Sequence, residues 1–187
     1  MSLNLFKKTL NEAKIVKRKN YSYIVHPLLD GIPEIKPELL EEVVSEMNRR
    51  IKKIEPFDKI VTVESMGIPL ATALSIKMNK PLTIIRKKPY GLPGEIIVEQ
   101  KTGYSKSKLY INNIKKDDKI IIVDDVLSTG GTIKSIISAL KKLNTSVKGV
   151  FIAVNKSDSI NNIKKELNVN IDILVNITID DNKIIVK

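Results

Sequence analysis

The sequence predicts an α/β fold, a central parallel sheet with flanking helices, and three observations predict it. From residue 59 onward short apolar strands alternate with helical stretches, the pattern of strands joined by crossover helices. The run Lys119–Val123 is apolar after its first residue, as a strand covered on both faces must be. The chain has 187 residues, the length of one domain with room for a substantial core. Residues 1–187 therefore read as a single domain: about 1–58 N-terminal helices and loop, about 59–160 the core, and about 161–187 a closing helix and strands.

In chain order, Ser2 caps a short helix whose Leu3, Phe6, Leu10 and Ala13 share one face, a packing pattern. The basic run Lys17–Lys19 leads to an extended Tyr21–Val25, and His26–Pro33 reads as a loop because Pro and Gly interrupt it. Pro37 opens a helix in which Leu40, Val43, Val44, Met47, Ile51 and Ile54 recur at helical spacing. Strand Lys59–Val63, helix Pro69–Met78 and strand Leu82–Arg86 follow. Strands Glu95–Glu99 and Lys108–Ile111 make a hairpin with a long mobile tip, Gln100–Ser107. After Lys119–Val123, residues Ile133, Ile136, Ile137, Leu140 and Leu143 mark a helix. A buried strand Val147–Val154, a helix over about Ser159–Leu167, and strands Ile171–Ile179 and Lys183–Val186 turned at Asp180–Asn182 complete the chain.

Composition narrows the function. No stretch approaches the roughly 18 to 20 unbroken apolar residues of a membrane-spanning helix. The N-terminus lacks the layout of a secretory leader and the chain has no cysteine, so a cytoplasmic setting without disulfides is expected. A net charge of +11 attracts phosphates of any kind. Nucleic acid is not the expected partner, because 28 of the 32 basic residues are Lys scattered along the chain. Neither an aromatic RNA-binding motif, nor Cys/His zinc spacing, nor a helix-turn-helix pair accompanies them.

The chemistry is concentrated in Ile120–Thr132, an apolar strand that ends in two acids and a Ser/Thr/Gly turn opening a helix. Ligands of open α/β sheets lie at the carboxyl ends of strands, where Asp124 and Asp125 stand. Ser128, Thr129, Gly130, Gly131 and Thr132 can aim backbone N–H groups and hydroxyls at a phosphate, aided by the positive end of the helix dipole. Both glycines permit close approach and positive φ. Acids beside a phosphate cradle repel the anion unless they hold something else, and sugar hydroxyls or a Mg²⁺-bound ribose meet that need. The expected ligand is a phosphorylated ribose. Neither G-x-x-x-x-G-K-[ST] nor G-x-G-x-x-G is present, which disfavours a nucleotide triphosphatase or a dinucleotide enzyme.

Val123–Thr132 closely resembles the strand-Asp-Asp-x-x-(Ser/Ala)-Thr-Gly-Gly-Thr segment with which type I phosphoribosyltransferases bind 5-phosphoribosyl 1-pyrophosphate (PRPP). Val63–Leu70 resembles the pyrophosphate loop after the first core strand of the adenine phosphoribosyltransferase-like branch. Arg86–Glu95 resembles that branch's Arg-Lys-x-x-x-Leu-Pro-Gly stretch. Taken from the residues alone, the second segment reads equally as a strand-to-helix turn, and the third also as a solvated charge run. Tyr23–Pro33 looks like the N-terminal hood over the base of archaeal-type hypoxanthine/guanine phosphoribosyltransferases, the nearest overall pattern, and Thr102–Lys106 sits where the family has its flexible catalytic loop. The acidic Leu-Glu-Tyr-Gly run of adenine enzymes is missing from that loop.

The resemblance implies the type I phosphoribosyltransferase fold, with a flexible hairpin loop and a small hood, and an enzyme of purine salvage: PRPP and a 6-oxopurine base give a nucleotide and pyrophosphate. It implies that Asp124 and Asp125 orient the ribose and Ser128–Thr132 hold the 5′-phosphate. Glu64, Ser65, Met66, Gly67, Arg86 and Lys87 would face pyrophosphate, with Tyr104 and Ser105 closing over it. Val25, His26 and Lys156 would meet the purine, Lys156 as the cation that selects an O6 acceptor over an amino group. From the residues alone Lys156 is equally one more exposed lysine, and His26 suits a shaping or anchoring role. Mg²⁺ is the implied cofactor, held mainly by PRPP and water with no complete protein site, and a homodimer the implied assembly. Adenine or xanthine enzymes are the alternatives, as is a PRPP-sensing regulator that binds nucleic acid.

Overall fold

The computed structural model describes residues 3–18, 21–54, 56–102, 105–180 and 183–187. Its elements in order are α1 (Asn4–Asn11), β1 (Lys14–Arg18), β2 (Tyr21–Val25), α2 (Pro27–Asp30), α3 (Pro37–Ile51), β3 (Lys59–Val63), α4 (Gly67–Met78), β4 (Leu82–Ile85), β5 (Ile96–Thr102), β6 (Ser105–Ile111), β7 (Lys119–Leu127), α5 (Gly131–Lys142), β8 (Ser146–Asn155), α6 (Ile160–Leu167), β9 (Ile171–Asp180) and β10 (Lys183–Val186). Six strands form the central sheet in the order β10-β9-β8-β7-β3-β4. All neighbours are parallel except β10, which turns back antiparallel on β9. The chain order of β3, β7 and β8 reverses direction across the sheet, and the ends of β3 and β7 lie side by side, the position at which open α/β sheets form their crevice.

Period-two alternation along these strands builds two cores, one on each face. Ile60, Ile121, Val123, Phe151 and Ala153 pack beneath α1, α3 and α4. Val61, Ile120, Ile122, Val150 and Ile152 pack against α5, α6 and the β5–β6 hairpin. A sheet so enclosed explains why β7 and β8 read as continuous apolar runs. Pro37 occupies the first turn of α3, where its missing N–H costs no hydrogen bond.

Several elements differ from the sequence reading. The basic stretch before Tyr21 contains a strand, β1, paired antiparallel with β2 from Lys14↔Val25 to Arg18↔Tyr21. A two-stranded ribbon needs few inward residues, so charge did not forbid it. The expected loop after Val25 contains the short helix α2, with Pro27 at its first position and Gly31 at φ +73 closing it. The β5–β6 ladder continues to Thr102↔Ser105, so Gln100–Thr102 and Ser105–Ser107 belong to strands rather than to a long mobile tip. β7 runs through both acids to Leu127. Strand β4 stops at Ile85, and Arg86 instead makes an antiparallel bridge to Tyr110, with N–O distances of 2.9 and 2.8 Å. Ser2, proposed as a cap, lies outside the described residues, and Leu3 takes the capping position of α1 without a side-chain bond.

Candidate functional site

The carboxyl ends of β3 and β7 open into a cleft of about 300 Å³. Glu64, Ser65 and Met66, from the connection between β3 and α4, form one wall. Asp124, Asp125 and Thr132 form another, and Lys87 faces them from the loop after β4. Leu29, Val63, Leu109 and Val126 supply the apolar lining. Of the expected site residues, the fold thus brings the acid pair, the 64–66 loop, Lys87 and the start of α5 to one place.

Asp124 and Asp125 are buried, each with under a tenth of its surface exposed. The Asp125 N–H donates to Asp124 Oδ1 at 3.0 Å. No ion pair joins either acid to a cation among the described residues, and Lys87 acts on Asp124 from across the cleft. Burial raises both carboxyls above the ordinary aspartate range, Asp125 further because its neighbour's charge repels its own. Two adjacent acids that favour one shared proton are poised to accept hydrogen bonds from vicinal hydroxyls or to face a cation. Among the described residues no three His, Cys, Asp or Glu side chains group to hold a metal by themselves.

Gly67 opens α4 directly beneath the pair. A Cβ there would fall on Thr62 Oγ1 and lie 2.8 Å from Asp124 Oδ1, so close approach of helix and acid requires glycine. The Glu64–Ser65 peptide in the same connection is cis. Glu64 accepts a hydrogen bond from the Lys87 N–H at 3.0 Å and pairs with Arg86 Nε at 3.3 Å. These contacts, the backbone N–H bond foremost, hold its carboxyl below the usual range. Glu64 is thereby a brace for Arg86 and Lys87.

The turn Ser128–Gly130 joins β7 to α5. Gly130 caps the helix at φ +74, with no side-chain cap and no acid in the first turn, so the helix terminus presents its positive end. Positive φ is confined to Gly130; Gly131 begins the helix itself. The Gly131 N–H reaches Thr129 Oγ1 at 3.4 Å.

The residues expected at the purine are placed differently. His26 is fully buried away from the cleft: its ring packs edge-on to Phe6, with centroids 5.6 Å apart. Nδ1 accepts from the Leu28 N–H at 3.1 Å, and Nε2 lies 3.0 Å from Thr9 Oγ1, whose own proton goes to the Phe6 carbonyl. That arrangement assigns a neutral ring protonated at Nε2, and burial lowers its pKa to about 4. Placing His26 at the base is therefore corrected: it caps α2 and ties that helix to α1. Val25 is half-buried at the end of β2 and does not line the cleft, whereas Leu29, which sequence reasoning missed, does. Lys156 is half-buried just past β8, its N–H bonded to the Leu127 carbonyl at 2.9 Å, beside the Ser128–Gly130 turn. Asn155 organises that corner: Oδ1 accepts from Ser157 N at 3.0 Å, and Nδ2 donates to Asn176 Oδ1 at 2.9 Å. Tyr104 lies outside the described residues, and Ser105 is described only as the first residue of β6.

Comparison with known proteins agrees with this geometry. Residues 36–185 match the phosphoribosyl transferase domain family. A hypoxanthine/guanine phosphoribosyltransferase of Aciduliprofundum boonei is 47% identical over 182 residues, 97% of this chain and 98% of that protein. One from Methanothermus fervidus is 44% identical over 97% of this chain and 96% of its own length. Among solved structures, the adenine phosphoribosyltransferase of Thermoanaerobacter pseudethanolicus superposes with a TM-score of 0.75 at 20% identity, covering 94% of this chain and 99% of that one. The Saccharomyces cerevisiae adenine enzyme gives a TM-score of 0.74 at 17% identity, over 92% of this chain and 97% of that one. The structures establish the shared fold, and with the family match they place this chain in the phosphoribosyl transferase family.

Proposed function

We propose that the protein transfers the 5-phosphoribosyl group of PRPP to hypoxanthine and guanine, releasing pyrophosphate and giving IMP and GMP. The observation that carries the reaction type is the cleft itself, where a buried acid pair, a helix N-terminus and Lys87 converge. Near-full-length relatives of 43–47% identity, all named hypoxanthine/guanine phosphoribosyltransferases, support the choice of base.

A purine ring nitrogen attacks the anomeric carbon as the carbon–oxygen bond to pyrophosphate breaks, and the proton of that nitrogen passes to the leaving pyrophosphate or to water. Positive charge grows on the ribose ring and negative charge on the leaving group. Asp124 and Asp125 accept hydrogen bonds from the ribose hydroxyls, and their negative charge favours the cationic ring. The Ser128–Thr132 turn binds the 5′-phosphate, while Arg86, Lys87 and the backbone of Glu64–Gly67 receive pyrophosphate. The acid pair, which no cation contacts among the described residues, also suits a divalent ion brought in by PRPP; Mg²⁺ there would offset pyrophosphate charge. Lys156, at the corner set by Asn155, donates to the purine O6.

The test is pyrophosphate release and nucleotide formation from Mg²⁺ and PRPP with hypoxanthine, guanine, xanthine and adenine offered separately. Turnover with the first two is expected. Turnover with adenine alone would keep the reaction and overturn the base assignment, and PRPP binding without turnover would point to a sensor. Lys156→Ala should raise KM for hypoxanthine about tenfold, the loss of one charge-assisted hydrogen bond, with KM for PRPP little changed. Unchanged purine kinetics would remove Lys156 from the site.

A further inference from the structure

We infer that Glu95 is the positioning residue for the cationic loop Arg86–Gly94, holding Lys87 toward the acid pair so that it meets pyrophosphate. The inference rests on the PRPP reading above. The loop leaves β4 and returns as β5, and it contains Gly91 at φ +64 and Gly94 at φ +80, with open space around both. Such a segment orders only if something holds it.

Its near end is held by Glu64 and by the Arg86–Tyr110 bridge. Its far end is held by Glu95, one residue beyond the Leu-Pro-Gly stretch. Glu95 accepts from the Tyr90 N–H at 3.0 Å, the Gly91 N–H at 3.2 Å and Asn112 Nδ2 at 2.9 Å. Asn112 follows β6 directly, so one carboxylate ties the crest of the loop to the base of the β5–β6 hairpin. These three donors hold Glu95 below the usual carboxylate range, keeping it an acceptor at neutral pH. Tyr90, fixed in this way, sits with its ring 5.7 Å from the Arg86 guanidinium, which links the far end of the loop to the cations at its start.

Glu95 is not among the residues that line the cleft and acts through the loop. Its loss should therefore weaken PRPP and spare the purine. The experiment is calorimetric titration of Mg²⁺-PRPP into the wild-type protein, Glu95→Ala, Glu95→Gln and Asn112→Ala, with KM values for both substrates where turnover is seen. For Glu95→Ala we expect PRPP affinity to fall about tenfold, KM for hypoxanthine to stay within about twofold, and the melting temperature to hold, since the loop is exposed. Glu95→Gln, which keeps one oxygen acceptor, should recover part of the loss, and Asn112→Ala should show a smaller loss of the same kind. Unchanged PRPP affinity in Glu95→Ala overturns the inference. So do equal losses for both substrates with a falling melting temperature, the mark of a merely structural residue. Failure of the wild-type protein to bind PRPP overturns the reading beneath it, and the inference with it.

Discussion

Two buried carboxylate sites in this molecule are built in opposite ways. On α3, Glu46 has 2% of its side chain exposed, and guanidinium donors surround it. Arg49 reaches it at 2.8 and 2.6 Å and Arg50 at 2.7 Å, and Arg50 continues to Asp172 at 2.6 Å. Those hydrogen bonds, Arg49's foremost, lower the Glu46 pKa to about 2. At the end of β7, Asp124 and Asp125 are nearly as buried, no cation contacts them among the described residues, and burial raises both. A folded protein satisfies an acid it keeps for stability. An acid left short of partners is held for a ligand that will supply them.

Removing one member of the pair breaks this contrast most sharply. Asp125→Asn should cost roughly 10²–10³ in kcat/KM, the scale for losing one preorganised electrostatic partner, and at the same time stabilise the ligand-free fold. Its gain of about 1 kcal/mol corresponds to a rise of about 2–4 °C for a chain of this size. Activity assays and thermal melts on the same preparation check both halves; a fall in melting temperature would show that the pair contributes to stability after all.

The opposite change at Glu46 should have the opposite pattern. Glu46→Ala takes the carboxylate from both guanidiniums, but Arg50 keeps Asp172 and Arg49 is half exposed, so the expected loss is about 2–3 kcal/mol, at or below the range for breaking a buried ion pair. KM for PRPP should not move, because α3 lies on the far side of the first core. Denaturant unfolding and steady-state kinetics together decide it.

The two sites also give pH dependences of opposite sign. Glu46 is lowered by folding, so its stabilisation is complete above the ordinary value of 4.5 and disappears as pH falls toward about 2. The aspartate pair is raised, so the folded state holds protons that the unfolded chain has released above 3.8. Stability therefore declines as pH rises from there through the raised values, by up to about 1.4 kcal/mol per pH unit for each proton. Melting temperatures across this range should show a decline toward alkaline pH that Asp125→Asn reduces and saturating Mg²⁺-PRPP abolishes.

How far each site could be read from sequence follows the same division between local and long-range order. The β7 motif was legible because strand, acids, turn and helix are contiguous and each has a local signature. Gly67 and Lys87 were legible at a distance only through resemblance. The apolar walls were not: Leu29 and Leu109 are ordinary leucines whose presence at the cleft depends on how α2 and the hairpin dock. Helix α2 has four residues, too few for a helical period to register, and β1 was hidden by its lysines. The anchoring role of His26 was legible beside Pro27, and its cap on α2 is a local bond to the Leu28 N–H; its burial was not legible, since Phe6 and Thr9, which pack on the ring, lie seventeen or more positions earlier. Asn155 likewise acquires its role only when β9 brings Asn176 alongside.

The Ser128–Gly130 turn tests whether the site depends on backbone shape as it does on charge, and the expected effect is the smallest. Gly130 adopts φ +74, which costs a residue with a Cβ about 1 kcal/mol or a little more. The new methyl of Gly130→Ala would meet Ile163 Cδ1 at 2.7 Å, but that atom is the free end of a side chain on α6 and can turn aside. The variant should fold, melt about 2–4 °C lower, and show a KM for PRPP raised about fivefold while KM for the purine stays put, since on the proposed reading only the N–H groups that would face the 5′-phosphate move. A matched rise for both substrates would mean that the turn positions the acid pair too, and that charge and backbone at this strand end form one unit.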